Sequence, residues 1–252
     1  YTFSQWTVTD GTAEVDDATS ATANVMLESD ATVTAEFIEN QTPAGIGVCR
    51  LFFTLDNIPH DHFRPVRSAV STDGYNFTFE EDVWLESTDI ADPAVRVGTD
   101  GVWRIVCGTL GQKSNLEDDV RYAVNPGTPN FPEPVVSITD SVKHFGSPDM
   151  IEMDGGWRVY YGRGVDIGSA FTSNDASFTI DEGVRLEAPE GMSLASDPTV
   201  VRRKDGAYVM YYKAAPPLEQ GGTPYYHYLY RAFSDDGLTW TQENVMLIEH
   251  VS

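Results

Sequence analysis

One short pattern occurs three times in this chain and limits the folds that the chain can adopt. The copies are ADPAVRVGTDGVWRIVCGT from Ala91, GSPDMIEMDGGWRVYYGR from Gly146 and ASDPTVVRRKDGAYVMYYKA from Ala195. Each copy has an Asp-Pro or Ser-Pro pair, an apolar run, a turn that contains glycine, and an aromatic run. Two apolar runs joined by a tight Asp-Gly turn are typical of a β-hairpin, so the pattern predicts three similar hairpins.

A second pattern closes most of the repeated units and adds further strands. It reads SAVSTDGYNF over residues 68–77, SAFTSNDASF over residues 169–178 and RAFSDDGLTW over residues 231–240. Each copy is typical of a strand, a polar turn and an aromatic residue that opens the next strand. Asp73, Asp175 and Asp236 in these turns are predicted to be structural, because aspartate carboxylates accept hydrogen bonds from turn amides.

The spacing of the repeats indicates which all-β fold the chain adopts. Helical periodicity is almost absent, and the first residues of the three pairs, Asp92, Ser147 and Asp197, are 55 and 50 residues apart. A period of this length with four short strands is the size of one β-propeller blade. Propeller blades are therefore predicted over residues 40–252. The individual units are expected at residues 43–88, 89–140, 141–190 and 191–252.

Residues 1–39 differ from the rest of the chain. They are rich in Thr, Ala and Val and lack the Pro-containing pair. Their sequence ends in SDATVTAEF, which resembles the last line of the small β repeats found in bacterial surface proteins. The resemblance implies a secreted or surface-attached bacterial protein with other modules in the same polypeptide. The segment is expected to be either the end of such a repeat or a set of strands that completes a blade.

The composition excludes some classes of partner. The chain has 252 residues, 41% of them hydrophobic, and a formal net charge of −23. So acidic a surface repels nucleic acid and anionic lipid. No apolar run approaches the ~18 residues needed to cross a bilayer, so no membrane insertion is expected. Cys49 and Cys107 are too few for a zinc site and are expected to be buried thiols or a disulfide.

The repeated patterns resemble those of five-bladed propeller glycosidases, such as arabinanases, xylosidases and fructosidases. The resemblance covers roughly residues 45–250 and rests on the ADP words, the DG-W turns and the closing S-DG-W/F turns. It implies a five-bladed type of propeller with carbohydrate as the partner. Four units are visible in the sequence, and a fifth blade would be completed by chain outside this sequence or by the N-terminal strands. It also implies an extracellular, periplasmic or cell-surface hydrolase.

The resemblance also implies which residues carry the chemistry. Innermost strands of the blades converge on a central funnel, and the pairs would bring their carboxylates together there. Asp92 matches the general base, and Asp197 matches the position of the acid or of a carboxylate that tunes it. Ser147 stands where a carboxylate is expected, and Asp149, two residues further on, is predicted to replace it on the same strand face. No copy has Glu at this place, although the general acid of the family is usually Glu.

Several residues near the funnel are predicted to contact the substrate. His144 enters the third unit, and His60 and His62 lie in the Pro-flanked loop IPHDHFRP. Long loops usually cover something, and the loop APPLEQGGTP leads into the last group. The predicted substrate contacts are His60, His62, Arg121, His144, Ser147, Glu219, Tyr225, Tyr226 and His227. No cofactor is predicted, although the acidity is compatible with a calcium ion in the funnel.

Three interpretations of function remain open at this point. The first is a glycoside hydrolase, which needs one acid and one base at the scissile bond. The second is a propeller that binds carbohydrate without cutting it, favoured by the missing Glu and by Ser147. The third is a structural module, in which the Asp-Pro pairs only start strands and cap turns. Trp103 and Trp157 recur at one repeat position and are predicted to pack between blades.

Overall fold

The computed structural model describes residues 2–20, 22–38, 48–54, 65–86, 90–109, 120–125, 131, 136–138, 145–217 and 227–248. Every regular element among them is a β-strand, as the sequence predicts. None of the described elements is a helix of the length and hydropathy that a membrane span requires. The chain divides into two compact units, Tyr1–Cys49 with Val70–Thr78, and Arg50–Ala69 with Phe79–Ser252.

The N-terminal strands pair with one another in two antiparallel pairs. They are β1 (Thr2–Asp10), β2 (Ala13–Val15), β3 (Val25–Leu27) and β4 (Thr32–Ile38). β1 pairs with β4, with Trp6 opposite Ala35, and β2 pairs with β3. The Trp6 indole N–H donates a hydrogen bond of 3.0 Å to the carbonyl of Ser20. The assignment of residues 1–39 as a separate segment stays a prediction.

The other strands form four antiparallel sheets in a propeller arrangement, which confirms the predicted fold class. The first sheet has three strands, β5 (Cys49–Thr54), β6 (Val66–Ser71) and β7 (Thr78–Phe79). The second has four, β8 (Ile90–Val97), β9 (Trp103–Thr109), β10 (Val120–Asn125) and β11 (Val136–Ile138). The third consists of β12 (Phe145–Met153), β13 (Gly156–Arg163), β14 (Asp166–Thr172) and β15 (Thr179–Ile180). The fourth consists of β16 (Leu194–Arg202), β17 (Tyr208–Ala215), β18 (Tyr228–Ser234) and β19 (Thr241–Ile248).

In each sheet the strands follow one another in chain order, so every blade is a simple meander. The sheets fall within the four units that the repeat predicted. The described residues contain four blades, and the fifth blade of the predicted five-bladed type is not among them.

Side chains between neighbouring blades form the core of the propeller. Trp103 packs in one cluster with Trp84 and Phe52, and its ring centroid lies 5.0 Å from that of Trp84. Trp157 packs against residues of the second and third blades. Both tryptophans therefore pack between blades, as predicted. Cys107 is buried and Cys49 is partly exposed, and both are free thiols, so the disulfide alternative is wrong.

Two of the closing turns are capped by aspartate, as the sequence predicts. The Asp73 carboxylate accepts hydrogen bonds of 2.8 Å from the backbone N–H groups of Tyr75 and Asn76. Asp236 accepts equivalent bonds from Leu238 and Thr239 at 2.8 and 2.7 Å. These bonds, the one from Thr239 foremost, lower the pKa of Asp236 to about 2.

The third closing turn differs, and the predicted turn-capping role of Asp175 is wrong. Asn174 caps this turn by accepting from the N–H groups of Ala176 and Ser177. Asp175 occupies the position that is glycine in the other two turns, and it has the left-handed φ of 59°. Its carboxylate accepts two hydrogen bonds from the Arg104 guanidinium of the second blade, at 3.0 and 2.8 Å. Asp175 therefore links two blades.

Candidate functional site

The three Pro-containing pairs meet at one open cavity. Its volume is about 480 Å³, and it is lined by the innermost strands β5, β8, β12 and β16. Asp92, Ser147 and Asp197 all line it, together with the prolines that follow them. The prediction that sequence-distant pairs converge on a shared cavity is therefore correct in its geometry.

The backbone of each pair explains how these side chains reach the cavity. Pro has no N–H to donate to the neighbouring strand, so a Pro inside a ladder is found at a bulge. The pairing of each innermost strand with its neighbour shifts register at this point, for example between Ala91 and Ala94. Asp92, Ser147 and Asp197 have left-handed φ angles of 50°, 43° and 52°. Three strands thus carry the same bulge.

This conformation is uncommon for residues other than glycine. It costs roughly 1–2 kcal/mol for an L-residue, and aspartate is among the side chains that adopt it most often. Four non-glycine residues in the described part of the chain have a positive φ, and three of them are the first residues of the pairs. Strained backbone of this kind concentrates at functional sites, which directs attention to the cavity.

Of the carboxylates that line the cavity, only that of Asp92 forms no ion pair with a Lys or Arg of the described residues. Its Oδ2 accepts a hydrogen bond of 2.8 Å from the Ser147 hydroxyl of the next blade. No ion pair joins it to any Lys or Arg of the described residues. Cys107 lies on the neighbouring strand β9, and the pKa of its thiol is raised first by burial and then by the negative charge of Asp92.

Asp197 is the first residue of the third pair, and its carboxylate forms an ion pair. Its Oδ2 forms an ion pair with the Lys213 ammonium of β17, the neighbouring strand in the same blade. About a third of each side chain is exposed. A carboxylate in such a pair supplies a fixed charge at the cavity wall. Its role as acid or tuner stays a prediction.

Asp149 is buried and connects three blades. Its Oδ1 accepts hydrogen bonds from the Arg96 guanidinium at 2.7 Å and from the Met150 N–H at 2.9 Å. Its Oδ2 accepts from the N–H of Val200 in the fourth blade at 2.8 Å. Burial raises the pKa of this carboxyl, against the opposing effect of Arg96. Both oxygens are engaged, and these contacts are those of a structural link, while the catalytic role of Asp149 stays a prediction.

Two arginines of the cavity were not found by sequence reasoning. Arg96 lies four residues after Asp92 on β8 and lines the cavity with it. Arg50 on β5 forms a bidentate ion pair with Glu80 at 2.7 and 2.9 Å. Its guanidinium carbon lies 5.1 Å from the centroid of the Trp84 ring. The bulge between Ala91 and Ala94 interrupts the alternation that would have related Arg96 to Asp92, and the first blade lacks the pair that would have located Arg50.

Of the other predicted substrate contacts, only Arg121 and His227 lie in the described ranges, and neither lines this cavity. His227 is exposed immediately before β18, and Arg121 lies on β10, opposite Cys107 and Ser137. Six others lie outside the described residues, namely His60, His62, His144, Glu219, Tyr225 and Tyr226. Within the described ranges, no group of three His, Cys, Asp or Glu side chains could hold a metal ion. The predicted calcium ion stays a prediction.

Comparison with known proteins identifies relatives of the fold. No protein-family model and no curated protein matches the sequence. A glycosyl hydrolase from Bacteroides ovatus superimposes with a TM-score of 0.62 at 12% identity, over 82% of this chain and 70% of the other. An endo-arabinase from Bacteroides thetaiotaomicron gives 0.55 at 14% identity, over 79% and 77%.

A third structure belongs to the GH130 family of mannoside phosphorylases, which contains glycoside hydrolases that target β-1,2 mannosidic linkages in Candida mannan. It gives a TM-score of 0.57 at 12% identity, over 75% of this chain. This chain spans 64% of the length of that structure. The resemblance of residues 1–39 to surface-protein repeats is not supported by these comparisons. What they establish is the fold, a propeller of the glycosidase type.

Proposed function

We propose that this chain is an extracellular glycoside hydrolase that acts on a polysaccharide or on an oligosaccharide from it, with Asp92 as the general base. The observation that carries the proposal is the charge balance of the cavity. Of the three carboxylates that line the cavity, two have a cation of their own, in the pairs Arg96–Asp149 and Lys213–Asp197. Asp92 has a neutral hydroxyl instead. The cavity-lining Arg50 is paired with Glu80, which lies outside the lining.

An unpaired carboxylate at an open cavity has the properties of a general base. It must be ionised to accept a proton, and it must be reachable by water and by the sugar. Asp92 lines the cavity, and its Oδ1 makes no hydrogen bond to the described residues. A carboxylate of this kind can activate a water molecule for attack at the anomeric carbon.

The general acid, which is the second carboxyl group that the reaction needs, has less support in the structure than the base. Asp197 lines the same cavity, but its ion pair with Lys213 favours a charge-tuning role over proton donation. No glutamate is among the described residues that line the cavity. Glu219, which lies outside the described residues, is therefore the candidate acid that we would test next.

Turnover on a panel of polysaccharides and chromogenic glycosides tests the proposal. For a substrate that the wild type cleaves, we expect Asp92→Asn to lower kcat/KM by about 10²–10⁴-fold, the usual contribution of general acid–base catalysis. Asp154→Asn is the matched control, because Asp154 is exposed in a hairpin turn away from the cavity. Activity that survives in Asp92→Asn would refute the assignment of the base.

The second candidate is a propeller that binds glycan without cutting it. Ser147 at a carboxylate position and the lack of a glutamate lining the described cavity favour it. Its signature is retention of a polysaccharide in affinity electrophoresis with no product formed by the wild type. The extracellular or surface location is tested by fractionating the organism that makes the chain.

A further inference from the structure

We propose that Ser147 is a positioning residue that keeps Asp92 available as a base. The other two pairs begin with aspartate, whereas Ser147 has a neutral hydroxyl and so places no second negative charge beside Asp92. The inference rests on the proposed role of Asp92, and it explains why the middle copy of the pattern differs from its neighbours. Its support comes from the backbone, from one distance and from the charges around the cavity.

The backbone makes the three positions equivalent. Asp92, Ser147 and Asp197 share the bulge, the following proline and a φ between 43° and 52°. A side chain at any one of them therefore leaves the strand in the same direction relative to its blade. An aspartate at position 147 would find a backbone that aspartate already adopts twice in this chain.

The distance between the second and third blades decides what a carboxylate at position 147 would meet. The Ser147 hydroxyl lies 2.8 Å from Asp92 Oδ2 and donates to it. The γ-carbon of an aspartate would stand near the place of this hydroxyl, with two oxygens beyond it. The two carboxylates would then be in contact, and like charges about 3 Å apart cannot both ionise.

The other ionisable groups near Asp92 do not relieve such a contact. Among the described residues they are Arg50 on β5, Arg96 on β8, Cys107 on β9, Asp149 on β12 and Asp197 on β16. Both arginines are committed to carboxylates of their own, and Asp197 is committed to Lys213. The buried thiol of Cys107 carries no positive charge. A second carboxylate beside Asp92 would therefore share its proton.

Titration of Asp92 tests the inference without requiring turnover. The protein is labelled with ¹³C at the aspartate side chains, and the resonance that disappears in Asp92→Asn identifies Asp92. Its titration midpoint is then compared in the wild type, Ser147→Asp, Ser147→Asn and Ser147→Ala. Ser147→Asn is the control for Ser147→Asp, because it has the same shape and can still donate a hydrogen bond.

We expect Ser147→Asp to raise the midpoint of Asp92 by about 1–3 pH units relative to Ser147→Asn. Ser147→Ala is expected to raise it by a smaller amount, because it removes a hydrogen bond to the charged form. Equal midpoints in Ser147→Asp and Ser147→Asn would overturn the inference. Should Ser147→Asp fail to fold, Ser147→Ala decides: a raised midpoint supports the inference and an unchanged one overturns it.

The same experiment separates this inference from the proposed function. If the wild type cleaves a glycoside, the acidic limb of its kcat/KM profile should move with the Asp92 midpoint in each variant. If the wild type cleaves nothing while the midpoints shift as expected, the hydrolase proposal fails, and the effect of Ser147 on the protonation of Asp92 stands by itself.

Discussion

Asp149 provides the most demanding test of how the cavity is held together. It is the only carboxylate lining the described cavity whose two oxygens both bond to backbone amides, and it joins strands of the second, third and fourth blades. Replacing Asp149 by alanine removes the acceptor from the N–H groups of Met150 and Val200, and both residues are buried. The perturbation is therefore a small deletion at the junction of three innermost strands.

The expected loss of stability follows from the hydrogen-bond donors that lose their acceptor when Asp149 is replaced. Each buried donor without an acceptor costs about 1–3 kcal/mol. Arg96 adds at most ~1 kcal/mol, because its side chain is 38% exposed and can turn to water. With two such donors, we expect Asp149→Ala to lower the free energy of unfolding by about 2–6 kcal/mol. That is large against the ~5–15 kcal/mol of an ordinary domain.

Urea denaturation followed by tryptophan fluorescence measures this difference. Asp154→Ala is the control, since Asp154 is an exposed turn residue of the same hairpin and should change stability by less than ~0.5 kcal/mol. Arg96→Ala should cost less than Asp149→Ala, because it leaves the carboxylate with its two backbone donors. A loss below ~1 kcal/mol in Asp149→Ala would show that the three-blade link contributes little.

Two further predictions concern the closing turns. Asp175→Gly relieves a left-handed φ but leaves the buried Arg104 with Asp100 as its remaining ion-pair partner. We therefore expect the free energy of unfolding, measured by urea denaturation, to fall by about 1–2 kcal/mol. A variant as stable as the wild type would contradict the link between blades. Asp236 has a pKa lowered from 3.8 to about 2, so its carboxylate stabilises the fold above about pH 4 and loses this contribution as the pH falls toward 2. Asp236→Asn should therefore show a shallower loss of stability over that range, and an identical acid profile would refute the assignment.

The fold could be predicted from the sequence because a propeller blade is built from local contacts. Each hairpin joins residues that are close along the chain, so its alternation and its glycine turns are visible in a single stretch. Trp103 and Trp157 were assigned to packing between blades from their repeat position alone, and both pack there. Convergence of Asp92, Ser147 and Asp197 on one cavity was implied by the resemblance of these repeats to propeller glycosidases, and the three residues do line one cavity.

The tertiary structure decided how the converging side chains are paired. Ser147 reaches Asp92, Asp149 reaches Val200, and Asp175 reaches Arg104, in each case across a blade boundary. The bulge between Gly146 and Asp149 interrupts the simple alternation from which the direction of Asp149 was predicted, although Asp149 does line the cavity. Such contacts depend on the register and the approach of strands about 50 residues or more apart, which no local period encodes. The repeats and their resemblance to propeller glycosidases therefore indicated which side chains meet. The structure determined that, of the three carboxylates that line the cavity, Asp92 is the one without a cation among the described residues.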